Sequence, residues 1–90
     1  MTDFEGRMAV LRDRFLERCR SDSVFLANFA GHNRDEVIAT VHRLSGSAGM
    51  FGFADLSLAA EQAEDCLREQ ADAGSSMAKV VLELQKIQEV

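Results

Sequence analysis

The sequence predicts an all-α protein, an antiparallel up-and-down four-helix bundle, and three observations support this fold class. First, the 90 residues contain no proline and no tyrosine, and residues that favour helices, such as Ala, Leu, Glu and Arg, are abundant. Second, runs of strand-favouring residues are scarce. Third, apolar residues recur every three or four positions, which is the period of an amphipathic helix. The apolar share of 47% is enough for one core, so residues 1–90 are expected to form a single domain.

The N-terminal third predicts either one bent helix or a helix with an extra short piece. Its first amphipathic face consists of five residues at helical spacing: Phe4, Met8, Leu11, Phe15 and Cys19. The polar residues 21–23 either interrupt this helix or cap a second piece. The apolar face continues to Gly31, where the helix is expected to stop.

A new helix is predicted to start at Asn33, because Asn33 followed by Glu36 has the pattern of a capping box. Its apolar residues are spaced by four, three, four and three positions: Val37, Val41, Leu44, Ala48 and Phe51. This spacing is typical of a helix packed in a bundle. Gly52 and Phe53 predict a turn after it.

Two further helices complete the predicted bundle. The third has the apolar stripe Leu56, Ala60, Ala63 and Leu67, and is expected to run to about Ala73. Gly74 then breaks the pattern, with Ser75 or Ser76 as the predicted N-cap of the last helix. That helix has the stripe Met77, Val81, Leu84 and Ile87. Short connections make consecutive helices antiparallel.

Composition and charge exclude several classes of function. No apolar run approaches the roughly 20 residues that span a bilayer, and the charged N-terminus does not resemble a signal peptide, so a cytoplasmic protein without membrane contact is expected. The net charge of −5 argues against nucleic-acid binding. Cys19 and Cys66 lack metal-ligand spacing and are interpreted as reduced core residues, and no cofactor or metal site is expected. His32 is interpreted as a loop residue.

The most unusual stretch is residues 42–52, where Gly46 and Gly49 interrupt a good helical pattern. Each glycine inside a helix costs about 1 kcal/mol relative to alanine. On a helix Gly46 lies about 40° and Gly49 about 20° from the direction of His42. The three residues therefore form one row, in which a partially exposed histidine adjoins backbone without side chains. A partner protein can approach such a histidine closely.

A second interpretation of the glycines remains open. They can serve to admit a neighbouring helix at short range, with His42 as an ordinary surface residue. The protein would then be a small helical adaptor or dimerisation module. A phosphate-binding loop is disfavoured, because that motif requires a preceding strand.

The stretch resembles the signature of histidine-phosphotransfer (HPt) domains of two-component phosphorelays, approximately H-x-L-K-G-[SA]-[SA]-x-x-[LF]-G. Seven residues match in register: His42, Leu44, Gly46, Ser47, Ala48, Phe51 and Gly52. The resemblance implies that His42 accepts a phosphoryl group from, and donates it to, an aspartate of response-regulator receiver domains. It implies a phosphocarrier without ATP-dependent kinase activity, whose partner supplies the aspartate and a divalent metal. A hybrid sensor kinase is a further expected partner.

One departure from the signature concerns charge. The family has a lysine where this sequence has Ser45, and that lysine is thought to help neutralise the phosphoryl group. Arg43 points about 100° away from His42 on a helix and is an imperfect substitute. Five residues around His42 are expected to contact the partner: Arg43, Ser45, Gly46, Gly49 and Arg68.

The predicted hairpin also suggests an acceptor for a histidine proton. If the turn is centred on Phe53, residues whose numbers sum to about 106 lie level on the two antiparallel helices, and His42 faces Glu64. Glu64 is then able to accept the Nδ1 proton and orient the ring, and the chemotaxis-kinase branch of the family has a glutamate at the matching position. The alternative is a solvent-facing glutamate. Arg68 either contacts the phosphoryl group or forms an i,i+4 ion pair with Glu64. A monomer is expected, because a compact bundle needs no second chain to bury its core.

Overall fold

The computed structural model describes residues 2–88, and four α-helices make up most of them. A short 3-10 helix, Phe29–Gly31, connects the first two, and the described residues contain no β-strand. The α-helices are α1 Thr2–Ala27, α2 Arg34–Met50, α3 Ala54–Arg68 and α4 Gly74–Gln88. Helix α2 packs most extensively on α3, α3 packs on α4, and α4 packs on α1, whereas the contact between α1 and α2 is the sparsest. The predicted all-α fold with four helices is confirmed.

Helix α1 is continuous through residues 21–23, so the polar run there does not interrupt it. Asp22 and Ser23 are both buried, and Asp22 accepts hydrogen bonds from the Arg43 side chain of α2. A polar residue with a partner on a neighbouring helix has no need to bond the backbone of its own helix. No separate short α-helix precedes α2, because only the 3-10 helix follows Ala27.

The predicted apolar face of α1 is only half buried. Phe15, Cys19 and Leu26 are in the core, but Phe4 is 69% exposed and Leu11 is 45% exposed. The expectation that Phe4, Met8 and Leu11 pack inside the bundle is therefore wrong for Phe4 and Leu11. The end of α2, at Met50 and Phe51, lies beside these two residues without burying them.

Local capping sets the ends of α2. The Asn33 side chain accepts hydrogen bonds from the backbone N–H groups of Asp35 and Glu36, at 2.8 and 3.3 Å, so the predicted start is confirmed. At the other end Gly52 has a φ of +84°, a left-handed conformation that glycine adopts without strain. The N–H of Phe53 bonds the Ala48 carbonyl at 2.8 Å. This arrangement ends α2 and turns the chain into α3 within three residues.

The end of α3 differs from the prediction. The helix stops at Arg68 rather than near Ala73, because Gln70 adopts a left-handed φ of 58° and the Ala71 N–H bonds the Cys66 carbonyl. Ala73 is then buried as part of the loop. Helix α4 begins at Gly74, whose N–H donates to the Asp72 side chain at 2.9 Å. Ser75 and Ser76 consequently lie inside the first turn of α4, so the prediction that one of them is its N-cap is wrong.

The core follows the predicted stripes of α2 and α3 closely. Their buried residues include Val37, Val41, Leu44 and Ala48 on α2 and Leu56, Ala60, Ala63 and Leu67 on α3. In α4, Val80 is buried, while Val81 and Ile87 pack at the edge of the core. Phe51 and Phe53 pack against Phe15, with ring centroids 5.4 and 5.7 Å apart, and so anchor the α2–α3 turn to α1. Between Thr2 and Gln88, the structure contains no helix with the length and apolar character of a membrane span.

Candidate functional site

His42 lies in the middle of α2 on the face that points away from the core. Its neighbours Val41 and Leu44 are fully buried, which fixes the orientation of the helix about its axis. The His42 side chain is 71% exposed, as the position beside the apolar stripe predicts. The ring is therefore accessible to a second protein.

Glu64 of α3 holds one edge of this imidazole. The Nδ1 atom of His42 lies 3.1 Å from both carboxylate oxygens of Glu64, so the predicted contact across the hairpin is present. When the proton is on Nδ1, this nitrogen donates the hydrogen bond and Nε2 keeps a free lone pair. The Glu64 side chain is only 13% exposed, which restricts the positions that its carboxylate can take. The contact thus favours one tautomer and one orientation of an exposed ring.

Arg68 binds the same carboxylate from the other side. Its Nε donates to Glu64 Oε2 at 2.8 Å, which is the i,i+4 ion pair that the sequence suggested. Burial alone raises the pKa of Glu64, but hydrogen bonds from Arg68 and His42, together with their charges, outweigh it and lower the pKa below its ordinary value. Glu64 is therefore ionised near neutral pH and can accept a hydrogen bond from the Nδ1–H group of His42.

Gly46 and Gly49 have different surroundings although both are exposed. A Cβ atom placed on Gly46 would have no atom within 4 Å, so no packed helix requires a glycine there. A Cβ atom on Gly49 would lie 3.4 Å from Ser57 Oγ on α3. The packing interpretation therefore has some support at Gly49 and none at Gly46, where the surface beside His42 is open.

Ser45 and Arg43 flank His42 but contact other parts of the bundle. The Ser45 carbonyl accepts a hydrogen bond from Ser57 Oγ at 2.8 Å, which joins α2 to α3. Arg43 binds the buried Asp22 carboxylate of α1 at 3.0 and 3.2 Å. Of the residues assigned to the site, the structure thus groups His42, Glu64, Arg68 and Gly46, with Gly49 and Ser45 adjacent, and directs the Arg43 side chain toward α1.

The sequence did not identify two residues that shape this region. Asp22 looked like part of a helix break, and its only sequence signal is a position between the apolar residues Cys19 and Leu26. Ser57 has no signal at all, because its bond goes to a backbone carbonyl. His32 packs on Phe25, with ring centroids 4.2 Å apart, and lies in the connection before α2. Among residues 2–88 no group of three or more His, Cys, Asp and Glu side chains has the arrangement of a metal site.

Comparison with known proteins gives one positive result. The sequence model of the Hpt domain family matches residues 10–90. Searches of curated proteins and of solved structures find no similar protein. Hpt domains are helical bundles that carry out histidine phosphotransfer in two-component signalling and interact with response-regulator receiver domains. Since the match covers nearly the whole chain and the four-helix fold agrees with it, this chain belongs to the Hpt domain family.

Proposed function

We propose that His42 is the phosphorylated residue, which accepts a phosphoryl group from a receiver aspartate and donates it to another. The contact that carries this proposal is the pair of 3.1 Å distances between His42 Nδ1 and the Glu64 carboxylate, made by a ring that is mostly exposed. Here the acceptor leaves Nε2 directed away from Glu64 and available to a partner.

The transfer step follows from this arrangement. The Nε2 lone pair of His42 attacks the phosphorus of an aspartyl phosphate, so that an N–P bond forms while the acyl O–P bond breaks. The bonding electrons leave with the receiver aspartate as carboxylate. The Nδ1 proton stays between His42 and Glu64, which stabilises the positive charge on the phosphorylated ring. The reverse reaction passes the phosphoryl group to the next aspartate, and the receiver contributes the divalent metal that neutralises charge.

Arg68 is proposed to replace the family lysine that is Ser45 here. Its guanidinium uses Nε on Glu64 and has further N–H groups on an exposed side chain. Because Arg68 and His42 bind the same carboxylate, we expect the guanidinium to reach a phosphoryl group on Nε2 after a change of rotamer that releases Glu64. Arg43 is a poorer candidate, since it is engaged by Asp22.

The docking face is proposed to be the open strip formed by Gly46 and Gly49, with Ser45 at its edge. The absence of side chains on this strip lets a receiver bring its aspartate close to His42. The protein itself is proposed to have no kinase activity, so the phosphoryl group comes from receiver domains, including that of a hybrid sensor kinase.

The decisive experiment is phosphorylation by a receiver carrying labelled phosphate. Wild-type protein should gain label that is labile in acid and stable in base, as phosphohistidine is, and His42→Ala should gain none. His32→Ala is the matched control, because His32 is the other histidine of the chain and should not affect labelling. Unchanged labelling of His42→Ala would refute the proposal and favour a helical adaptor.

A second experiment tests the docking face. Gly46→Leu places a bulky side chain beside the imidazole and should lower the rate of transfer at least about ten-fold, corresponding to roughly 1.4 kcal/mol. Gly46→Ala is the control, since its Cβ meets nothing and alanine favours helix, so that stability should rise by about 0.5–1 kcal/mol. Equal transfer rates for Gly46→Leu and wild type would contradict the steric role.

A further inference from the structure

The apolar face of α1 extends past the end of the bundle. Phe51 and Phe53 of the α2–α3 turn pack on Phe15, and the Arg12 guanidinium lies 5.9 Å from the centre of the Phe53 ring, so the turn meets α1 at residues 12–15. On the opposite side the Gln88 side chain near the end of α4 bonds the Cys19 carbonyl at 3.2 Å, so α4 ends alongside the middle of α1. The long axis of the described chain is 46 Å against 22 and 21 Å for the other two. Residues 3–14, termed here the projecting segment, lie near the N-terminal end of α1, where Met50 and Phe51 at the end of α2 border them without burying any of them.

The projecting segment presents large apolar side chains to solvent. Phe4 and Leu11 lie on the continuation of the core stripe, and Val10 is also half exposed. Met50, at the end of α2, is 67% exposed and borders two shallow hollows with this segment, one next to Leu11 and the other next to Phe4. Contiguous apolar surface of this kind is typical of an interaction site rather than of a solvated helix face.

The order of charges along the projecting segment indicates which partner covers this apolar surface. The first half of the projecting segment contains Asp3, Glu5 and Arg7, with a net charge of −1, and its second half contains Arg12, Asp13 and Arg14, with a net charge of +1, all of them exposed. The four ion pairs that the structure gives within residues 2–88 involve none of these charges. Two copies in antiparallel orientation would place the acidic end of each segment beside the basic end of the other. The segment is thus complementary to itself under a two-fold axis.

We propose that the protein forms a weak antiparallel dimer through the projecting segments, in which Phe4 and Leu11 of each copy cover one another. Twelve helical residues span about 18 Å, which gives an interface smaller than the standard size of about 800 Å² per partner. Association is therefore expected at concentrations on the order of 10–100 µM. An isolated helix of this length is only marginally stable in water, so pairing would also stabilise the segment.

Dimerisation and phosphotransfer use separate surfaces. The ion pair between Arg43 and Asp22 places the His42 region beside the second half of α1. The projecting segment lies at the opposite end of that helix, beyond the α2–α3 turn. A receiver can therefore reach His42 in either copy, and loss of the dimer should leave phosphorylation unchanged.

Sedimentation equilibrium of the full 90-residue chain tests the dimer. Wild-type protein should change from monomer to dimer between about 1 and 500 µM, and Phe4→Ser should weaken association at least about ten-fold. Val24→Ser is the matched control, because Val24 is as exposed as Phe4, at 69%, but lies outside the segment. A wild type that stays monomeric throughout, or a Phe4→Ser variant that associates as tightly as wild type, would overturn the proposal.

Charge exchange gives the sharper result. Asp3→Arg/Glu5→Arg and Arg12→Glu/Arg14→Glu should each be monomeric alone, and an equimolar mixture should recover the heterodimer. Failure of the mixture to associate, with both variants shown to be folded by their thermal unfolding, would exclude the antiparallel arrangement. Labelling of His42 in every variant provides an independent measurement, so that failure of the dimer and failure of the phosphotransfer proposal are distinguishable.

Discussion

His42 and Arg43 are neighbours in α2, and each binds a carboxylate from another helix, yet their settings differ. His42 contacts Glu64 of α3 and remains 71% exposed, whereas Arg43 contacts the buried Asp22 of α1 and is 32% exposed. The first contact orients a ring that a partner can reach. The second joins α1 to α2, which pack on each other less extensively than α2 on α3, α3 on α4 or α4 on α1. We therefore expect similar polar contacts to serve phosphotransfer at His42 and stability at Arg43, according to what remains open to solvent.

The largest expected effect is on the rate of phosphotransfer, and it should distinguish Glu64 from Asp22. Glu64→Ala removes the acceptor of the hydrogen bond from Nδ1, and phosphotransfer should slow roughly ten-fold to hundred-fold, by analogy with the loss of the hydrogen-bond partner of a metal-binding histidine. Receiver affinity should hardly change, because Glu64 lies behind the ring. Quench-flow measurement of transfer from a labelled receiver gives the rate, and titration calorimetry gives the affinity. A rate equal to that of wild type would make Glu64 an ordinary surface charge.

Asp22→Ala should have the opposite profile, with a loss of stability and normal transfer. It leaves the half-buried Arg43 guanidinium without its partner, so the free energy of unfolding should fall by about 1–3 kcal/mol. Urea unfolding followed by circular dichroism measures this difference. If transfer also slowed by more than about two-fold, the ion pair between Asp22 and Arg43 would have to influence His42, and the two contacts would not have separate roles.

The smallest expected effect concerns pH. The folded protein lowers the pKa of Glu64 below 4.5, so ionised Glu64 stabilises the fold above that pH, and its contribution is lost as the pH falls through the lower, folded value. Because Arg68 and His42 are exposed, the contribution should be only about 0.5 kcal/mol. The stability difference between wild type and Glu64→Gln, measured from pH 7 down to pH 3, should shrink at the acid end. A difference independent of pH would contradict the lowered pKa.

The sequence predicted the hairpin of α2 and α3 well because several independent signals agree there. The Asn33 cap, the apolar stripes and Gly52 together determine the start, the rotation and the end of α2. Residues at equal distances from the turn lie opposite each other, which predicts the contact between His42 and Glu64. The approach of Gly49 to Ser57 has the same register. A short connection between two regular helices leaves little freedom, so simple geometry was sufficient.

Other features could not be predicted because they depend on neighbours that periodicity does not reveal. The stripe of Phe4 and Leu11 looks like core in the sequence, but the spacing along α1 does not show which part of that helix the other helices bury. The stop of α3 at Arg68 depends on a left-handed Gln70, a residue without the freedom of glycine. The destination of the Arg43 side chain required the position of α1. Which residues the receiver contacts remains a prediction for the same reason.

The brevity of the α2–α3 connection has a consequence for how this protein can evolve. With only residues 51–53 between the helices, an inserted residue that moved the register of α3 along α2 by one position would also change the facing direction by about 100°. Such an insertion would carry Glu64 away from the imidazole while both helices kept their sequences. Loop length is usually the most freely varied property of a helical bundle. Here it sets which residues of α2 and α3 lie opposite each other, and hence whether Glu64 meets His42.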